Sequence, residues 1–355
     1  MIDIIMNRLK QSPRTLQNER EGFDANIAVV IPCYKVTQQI AKVVAEIPEY
    51  VRNIYIIDDA CPEGSGEFVR QRVKDGRIRI IRHANNLGVG GAVISGYLAA
   101  IADGADVIVK IDGDGQMDPE LIPFFVEPIL FGEADYTKGN RFFDLNQIQA
   151  MPQVRIFGNA VLSFMAKLST GYWDLFDPTN GYTAIHADVA RHLPFESISR
   201  RYFFETDMLF RLNTLRAVVI DVPIDAKYGD EVSNLKISKI IGEFLFKHMR
   251  NFFKRIFYNY YLRGMSLASL ELPLGLLSLL FGIIYGGYNW LESARAGLPT
   301  AAGTVMLSAL PVLMGLQFVM AFLGYDIASM PRRPRHKSIR GNGASMRGQK
   351  NETNT

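Results

Sequence analysis

Two carboxylates carry the clearest chemical potential in this sequence. Asp112 and Asp114 close the run Val107-Ile108-Val109-Lys110-Ile111-Asp112-Gly113-Asp114-Gly115-Gln116. Acids one residue apart are hard oxygen donors, suited to Mg²⁺ or Mn²⁺ that also grips a diphosphate. The same residue types serve as caps and turns, so context has to choose. The apolar run before them reads as a strand covered on both faces, and ligands of such sheets bind beyond the carboxyl ends of the strands. That context favours a metal–diphosphate site.

The elements that must hold these acids follow a strand-then-helix rhythm. Ile27–Ile31, stopped by Pro32, Ile54–Ile57, ending in Asp58-Asp59, Ile78–Ile81 and Asp106–Ile111 read as strands, with helices between them. Alternation of this kind predicts an α/β domain with a parallel sheet and helices on both faces. Right-handed crossovers then bring Pro32, Asp59 and Asp114 to one edge. Further on, Pro119 suits the first turn of a helix to about Leu130. Asp135–Arg141 reads as a strand and loop, 152–170 as a helix, and Asp177–Tyr182 as a turn into another strand. A helix opens near Tyr202–Asp207, and Ala217–Val222 reads as a last strand.

Other candidates fit the same edge. Asp59 stands where an acid can meet a base or ribose. Arg141, Arg155 and Lys236 are cations able to meet a second phosphate, and Asp207, with Glu205 beside it, is a candidate base or acceptor-orienting group. Each alone is more often a surface ion pair. Gly88-Val89-Gly90-Gly91-Ala92 superficially matches a dinucleotide fingerprint, but it follows the third strand and its glycine spacing is imperfect; tight packing of a helix on the sheet is the plainer reading.

The last third changes character. Residues 237–266 mix Phe, Tyr, Ile and Leu with Lys247, Arg250, Lys254, Arg255 and Arg263, a pattern that predicts amphipathic juxtamembrane helices lying at a lipid surface. Two apolar runs follow, about 272–290 and 304–325 within 267–330, each long enough to cross ~30 Å of hydrocarbon. Basic residues crowd the 331–355 tail, which is expected to be disordered, against Arg295 alone in the connecting loop. The positive-inside rule therefore puts the catalytic domain and both termini in the cytoplasm, on the inner membrane. Residues 1–26 carry no signal-peptide pattern and read as a lead-in. Two cysteines give neither a metal spacing nor a disulfide framework, and a net charge of +3 does not argue for nucleic acid.

Taken together, Ile31-Pro32-Cys33-Tyr34, Ile56-Ile57-Asp58-Asp59, Asn86-Leu87-Gly88 and Asp112-Gly113-Asp114-Gly115-Gln116 resemble the family-two, GT-A fold glycosyltransferases. Lys138-Gly139-Asn140-Arg141, Asp177–Tyr182 and Ser233-Asn234-Leu235-Lys236 resemble the polyprenyl-phosphate hexosyltransferase branch, which includes dolichol-phosphate mannose synthases and bacterial undecaprenyl-phosphate glucosyltransferases. The resemblance covers roughly 27–236. It implies a Rossmann-like nucleotide-sugar-binding domain followed by the juxtamembrane and two transmembrane helices. It also implies inverting transfer of a hexose from UDP- or GDP-hexose to a polyprenyl phosphate, dependent on Mg²⁺ or Mn²⁺, and self-assembly through the membrane helices and basic juxtamembrane segment.

Carried over residue by residue, Pro32, Tyr34, Asp59, Asn86 and Gly88 would line the nucleotide sugar. Asp112, Asp114 and Gln116 would hold the metal, with Asp112 also near ribose. Arg141 and Arg155 would take the lipid phosphate, Asp177 would lie near the sugar, and Lys236 would lie on a closing loop. The chain departs from the family at Lys35-Val36, at Ala60-Cys61-Pro62 and at Asp230-Glu231, where Lys227 could substitute for a missing cation. Two other readings compete: a processive polysaccharide synthase, which needs more spans and a Gln-x-x-Arg-Trp motif absent here, and a catalytically silent, membrane-anchored nucleotide-sugar-binding protein.

Overall fold

The computed structural model describes residues 25–143, 153–224 and 237–339, with side chains at 153–155 and 237–241 outside the description. A seven-stranded sheet organises the chain. Its strands are β1 (Ile27–Cys33), β2 (Asn53–Asp58), β3 (Ile78–Arg82), β4 (Val107–Lys110), β5 (Tyr136–Asn140), β6 (Thr183–His186) and β7 (Val219–Pro223), in the order β3-β2-β1-β4-β6-β5-β7. Six run in one direction. The expected parallel sheet is corrected at β6, which is antiparallel to both β4 and β5. The reversal matters for chemistry, because β6 begins opposite the end of β4 (Thr183 beside Lys110), so the turn preceding it lies at the edge where Asp112 and Asp114 emerge.

Helices α1 (Ile40–Ala45), α2 (Ser65–Arg72), α3 (Val89–Ala102), α4 (Ile122–Leu130), α5 (Gln153–Thr170), α6 (Ala187–Ala190) and α7 (Phe204–Thr214) connect the strands. The two-residue period of β1 divides the interior. Ala28 and Val30 join Tyr97, Met208 and Leu212 on one face, while Val29 and Ile31 join Ile40, Val109 and Phe125 on the other. The glycines after β3 are packing residues: a Cβ on Gly90 would meet Phe204 and the Ser199 carbonyl, and one on Gly96 would enter Val30.

After β7 come α8 (Ile237–Phe257), a π-helical segment (Tyr258–Leu262), α9 (Ala268–Ala296) and α10 (Ala302–Ala328). Helix α8 turns an unusual face to each side. His248, Asn251 and Arg255, at helical spacing, are buried against the α/β domain, while Phe246, Phe253 and Phe257 are 68%, 61% and 57% exposed. Apolar residues facing outward and polar residues facing inward suit a helix lying on lipid. At ~1.5 Å per residue both α9 and α10 exceed the ~30 Å hydrocarbon thickness, and only 22% and 11% of their most apolar windows are buried. They pack through small residues, since a Cβ on Gly275 would press on the Gly315 carbonyl and one on Gly282 on Val312 and the Ser308 carbonyl.

The end of this hairpin and the chain after it return to the α/β domain. At the end of α10, the buried Asp326 accepts from Arg255 Nη1 (2.6 Å) and Nη2 (3.0 Å), Trp173 Nε1 (2.8 Å) and Tyr260 Oη (2.5 Å). The tail expectation is corrected over its first residues. Residues 335–339 form a short helix, Asp135 accepts from the backbone N–H groups of Arg335 (2.7 Å) and His336 (2.9 Å), and the His336 ring stacks on His186 at 4.3 Å. The remaining tail, from 340, and the lead-in through residue 24 lie outside the described residues.

Candidate active site

The site is built at the carboxyl edge of β1, β2 and β4 and the amino end of β6. Buried Lys110, the last residue of β4, donates to Asp112 Oδ1 at 2.8 Å and lies 3.7 Å from Glu205 Oε1. A cation inside a β-branched strand has to be paired. Burial works against its charge, but Asp112 and Glu205 outweigh burial and hold the ammonium above its ordinary range. Burial pushes the Glu205 carboxyl up, with Lys110 opposing. Gly181 is glycine for a steric reason: its Cβ would collide with Lys110 Nζ and press on Asp112 Oδ2.

Asp112 and Asp114 are both partly exposed at this edge, and Asp114 Oδ1 accepts from the Gln116 backbone N–H at 3.0 Å. Gln116 is likewise partly exposed. No group of three or more His, Cys, Asp or Glu side chains is placed to hold a metal among the described residues. The donor set still fits Mg²⁺ or Mn²⁺, because such ions are commonly held by one or two carboxylates and complete their shell with substrate phosphates and water.

The turn before β6 supplies a second buried unit. Asp177 sits in the left-handed region at φ 40°, and its carboxylate takes Arg141 Nε (2.7 Å), Arg141 Nη2 (2.8 Å) and Asn180 Nδ2 (3.1 Å). Burial raises this acid, but the Arg141 bonds and charge, with Lys138 and Asn180, bring it below the usual carboxylate range. Lys138 fixes the same turn from below, donating to the carbonyls of Phe176 (2.7 Å) and Asp177 (2.8 Å) and pairing with Asp221 at 3.0 Å. Arg141 thus reaches the edge as half of a bidentate pair, with a third of its side chain exposed.

Several expected contacts are differently employed. Asp59, expected at the base or ribose, is buried. Its carboxylate accepts from the backbone of Leu87 and Gly88, both at 2.8 Å, and meets His83 Nδ1 at 2.7 Å, so it clamps the Asn86-Leu87-Gly88 loop. Asn86 Nδ2 donates to the Asp59 carbonyl at 3.1 Å, and Gly88, at φ 84°, closes against the Arg200 carbonyl. Asp207 is fully buried, accepting from Asn251 Nδ2 (3.0 Å) and Ser199 N (2.8 Å), and thereby ties α7 to α8 rather than facing the edge.

Pro32 and Tyr34 do lie at the edge, with Tyr34 exposed. The departures at Lys35 and Cys61 touch each other: Lys35, at φ 59°, donates its N–H to Cys61 Sγ at 3.1 Å. The Arg155 side chain, Lys227, Asp230, Glu231 and Lys236 lie outside the described residues. Lys110 was missed as a site residue in the sequence, although a lone lysine in Val107–Ile111 was the available signal.

Comparison with known proteins agrees with this architecture. The family model described as Glycosyl transferase family 2 matches residues 28–193. That stretch is thus similar to family 2 glycosyltransferase domains. The chain is 29% identical over 221 residues to an undecaprenyl-phosphate mannosyltransferase of Micrococcus luteus, covering 61% of this chain and 90% of that protein. It is 27% identical over 221 residues to a UDP-N-acetylglucosamine–dolichyl-phosphate N-acetylglucosaminyltransferase of Methanococcus voltae, covering 58% and 88%. The fold is shared with glucosyl-3-phosphoglycerate synthase of Mycobacterium tuberculosis, solved with Mn²⁺, UDP-glucose and phosphoglyceric acid, at a TM-score of 0.51 and 17% identity over 69% of this chain and 84% of that one. The α/β domain thus has a GT-A sheet, with α8 and the apolar hairpin following it.

Proposed function

We propose that this protein transfers a hexose, with inversion, from a nucleotide diphosphate sugar to a polyprenyl phosphate at the cytoplasmic face of the inner membrane. The observation that carries this reading is the joining of an edge bearing Asp112, Asp114 and Arg141 to an apolar hairpin held to the α/β domain by Arg263 before it and by Asp326 and Arg335 at and beyond its end. Two relatives act on polyprenyl phosphates by name. Arginines near the hairpin ends, Arg263, Arg332, Arg333 and Arg335, support a cytoplasmic position for this side under the positive-inside rule.

The described geometry supports a division of labour for all but Arg155 and Lys236, whose roles come from the resemblance alone. Asp112, Asp114 and Gln116 would hold Mg²⁺ or Mn²⁺, which supplies Lewis-acid neutralisation of the departing diphosphate. Lys110 fixes Asp112 in place at 2.8 Å. Pro32 and Tyr34 border the nucleotide, and the Asp59 clamp shapes the loop beside it. Arg141, oriented by Asp177, presents charge to the acceptor phosphate, with Arg155 as a second cation and Lys236 on the closing loop. A phosphate oxygen forms the new bond to the anomeric carbon while the bond to the diphosphate breaks and its electrons leave with the nucleoside diphosphate. An anionic acceptor has no proton to surrender, so no general base is required. Asp207, buried against Asn251 and Ser199, is therefore assigned no acid/base role.

The test uses the full chain in detergent with undecaprenyl phosphate, Mg²⁺ or Mn²⁺ and a panel of UDP- and GDP-hexoses. The expected result is a glycolipid formed from one donor, dependent on both metal and lipid. Nucleotide release without glycolipid would reject the polyprenyl acceptor, and neither binding nor turnover with any donor would favour the silent-protein reading.

A further inference from the structure

A small pocket lies where the α/β domain, the π-helical segment and the returning tail meet. It holds about 90 Å³ and is lined by His192, Thr214, Tyr258, Arg263, Arg335 and Ile339, among others. It is remote from the acid edge. Helix α6 follows His186, which pairs with Val107 at the start of β4, and Thr214 ends α7 just ahead of β7, so both belong to the opposite edge of the sheet. Arg263 stands just before α9 and Arg335 just after α10, so the pocket borders both ends of the apolar hairpin.

Its charge is held in place without acids. Arg263 donates to the Thr214 carbonyl at 2.8 Å and lies 5.7 Å over the Tyr258 ring, while Arg335 Nη1 reaches Ser338 Oγ at 3.3 Å. Neither guanidinium has a carboxylate partner among the described residues. Asp188, on the adjoining helix, pairs with Arg191, and Asp135 is occupied by His336 and by backbone N–H groups. Arg216, near Arg263 but outside the pocket lining, donates to the Ser329 carbonyl at 2.6 Å; burial and Arg263 push it below its ordinary range. Positive charge concentrated at a membrane border, without compensating acids among the described residues, calls for an anion from the bilayer. A cavity of about 90 Å³ suits a phosphate and is too small for a nucleotide sugar.

We propose that this pocket binds the headgroup phosphate of an anionic bilayer lipid between Arg263 and Arg335, stapling the returning tail to the hairpin base. The proposal rests on the membrane reading and not on the transfer chemistry; insertion of the full chain into phosphatidylcholine vesicles, scored by resistance to alkaline extraction, tests that reading separately.

The test is native mass spectrometry of the delipidated full chain titrated with phosphatidylglycerol or phosphatidylcholine, compared with the Arg263→Gln/Arg335→Gln variant. One phosphatidylglycerol should bind with at least about tenfold preference, as one charge-assisted contact to phosphate implies. The double variant should lose that preference while keeping its melting temperature in phosphatidylcholine and its transfer activity. If the double variant does not fold, Arg335→Gln alone, an exposed position, must lower the preference. Equal binding of the two lipids, unchanged binding in the variant, displacement by millimolar inorganic phosphate, or stronger binding of undecaprenyl phosphate at the same residues would each overturn the proposal.

Discussion

Replacing Asp326 with alanine tests how the apolar hairpin is fastened to the α/β domain. Its carboxylate takes four donors: two from Arg255, one from Trp173 and one from Tyr260. Arg255 is 1% exposed, and Gly171 is kept free of a Cβ that would strike its guanidinium. The substitution strands a buried cation, which costs about 3–5 kcal/mol, and leaves the Trp173 and Tyr260 donors unsatisfied. For a domain of this size ~1 kcal/mol corresponds to about 2–4 °C, so a fall in melting temperature on the order of 10 °C is expected. Asp326→Asn should behave similarly, since its amide would turn a donor toward Arg255 or Trp173. Arg255→Met combined with Asp326→Leu should recover part of the loss, because the stranded cation is removed while the Trp173 and Tyr260 donors stay unpaired. Thermal unfolding in detergent, followed by tryptophan fluorescence, measures all of these. An Asp326→Ala protein that melts within about 2 °C of the parent would refute the node, as would a double variant no better than the single one.

Asp114→Ala should abolish metal-dependent glycolipid formation with little change in melting temperature, and near-parental transfer by the folded variant would remove the metal assignment. Gly181→Ala should cost about 1–3 kcal/mol through overpacking and depress activity by displacing Lys110 and Asp112, read as paired melting and rate measurements. Asp59→Asn places an amide donor against a Leu87 or Gly88 N–H, a loss of about 1–3 kcal/mol, and should raise the KM for the nucleotide sugar. The Asp177 carboxyl is held below its ordinary range, so its contribution is complete above ~3.9 and is lost as pH falls through the depressed folded value. In Arg141→Gln burial dominates, and the acid limb of the melting-temperature profile should shift to higher pH; an unshifted limb would show that Arg141 does not stabilise that charge.

Short-range pattern carried much of this in the sequence. Unbroken β-branched runs announced β1 and β2, and Pro119 marked the 3₁₀ turn (Pro119–Leu121) leading into α4. The two long apolar runs could hardly be anything but long helices. The partner of Asp59 was not legible, because its carboxylate meets Leu87 and Gly88 only after α2 and β3 have folded between them. Glu205 and Asp207 show a sharper limit. Two residues apart on a helix they point ~200° apart, so one faces Lys110 and the other Asn251, and only the docking of α7 decides which.

What the sequence by itself determined was local: acids at the end of a buried strand, alternation of strands and helices, and two stretches too apolar for water. These follow from side-chain chemistry and periodicity, which neighbours along the chain already express. Tertiary structure alone decided the direction of β6, since Thr183–His186 is buried throughout and reads the same either way. That direction brings the turn from Asp177 to Gly181 to the edge of Asp112, with Gly181 against the Asp112 carboxylate. It also decided that the chain after α10 folds back onto Asp135, about two hundred residues away in sequence. Contacts of that separation depend on how the sheet, α8 and the hairpin pack together, and no local periodicity encodes them.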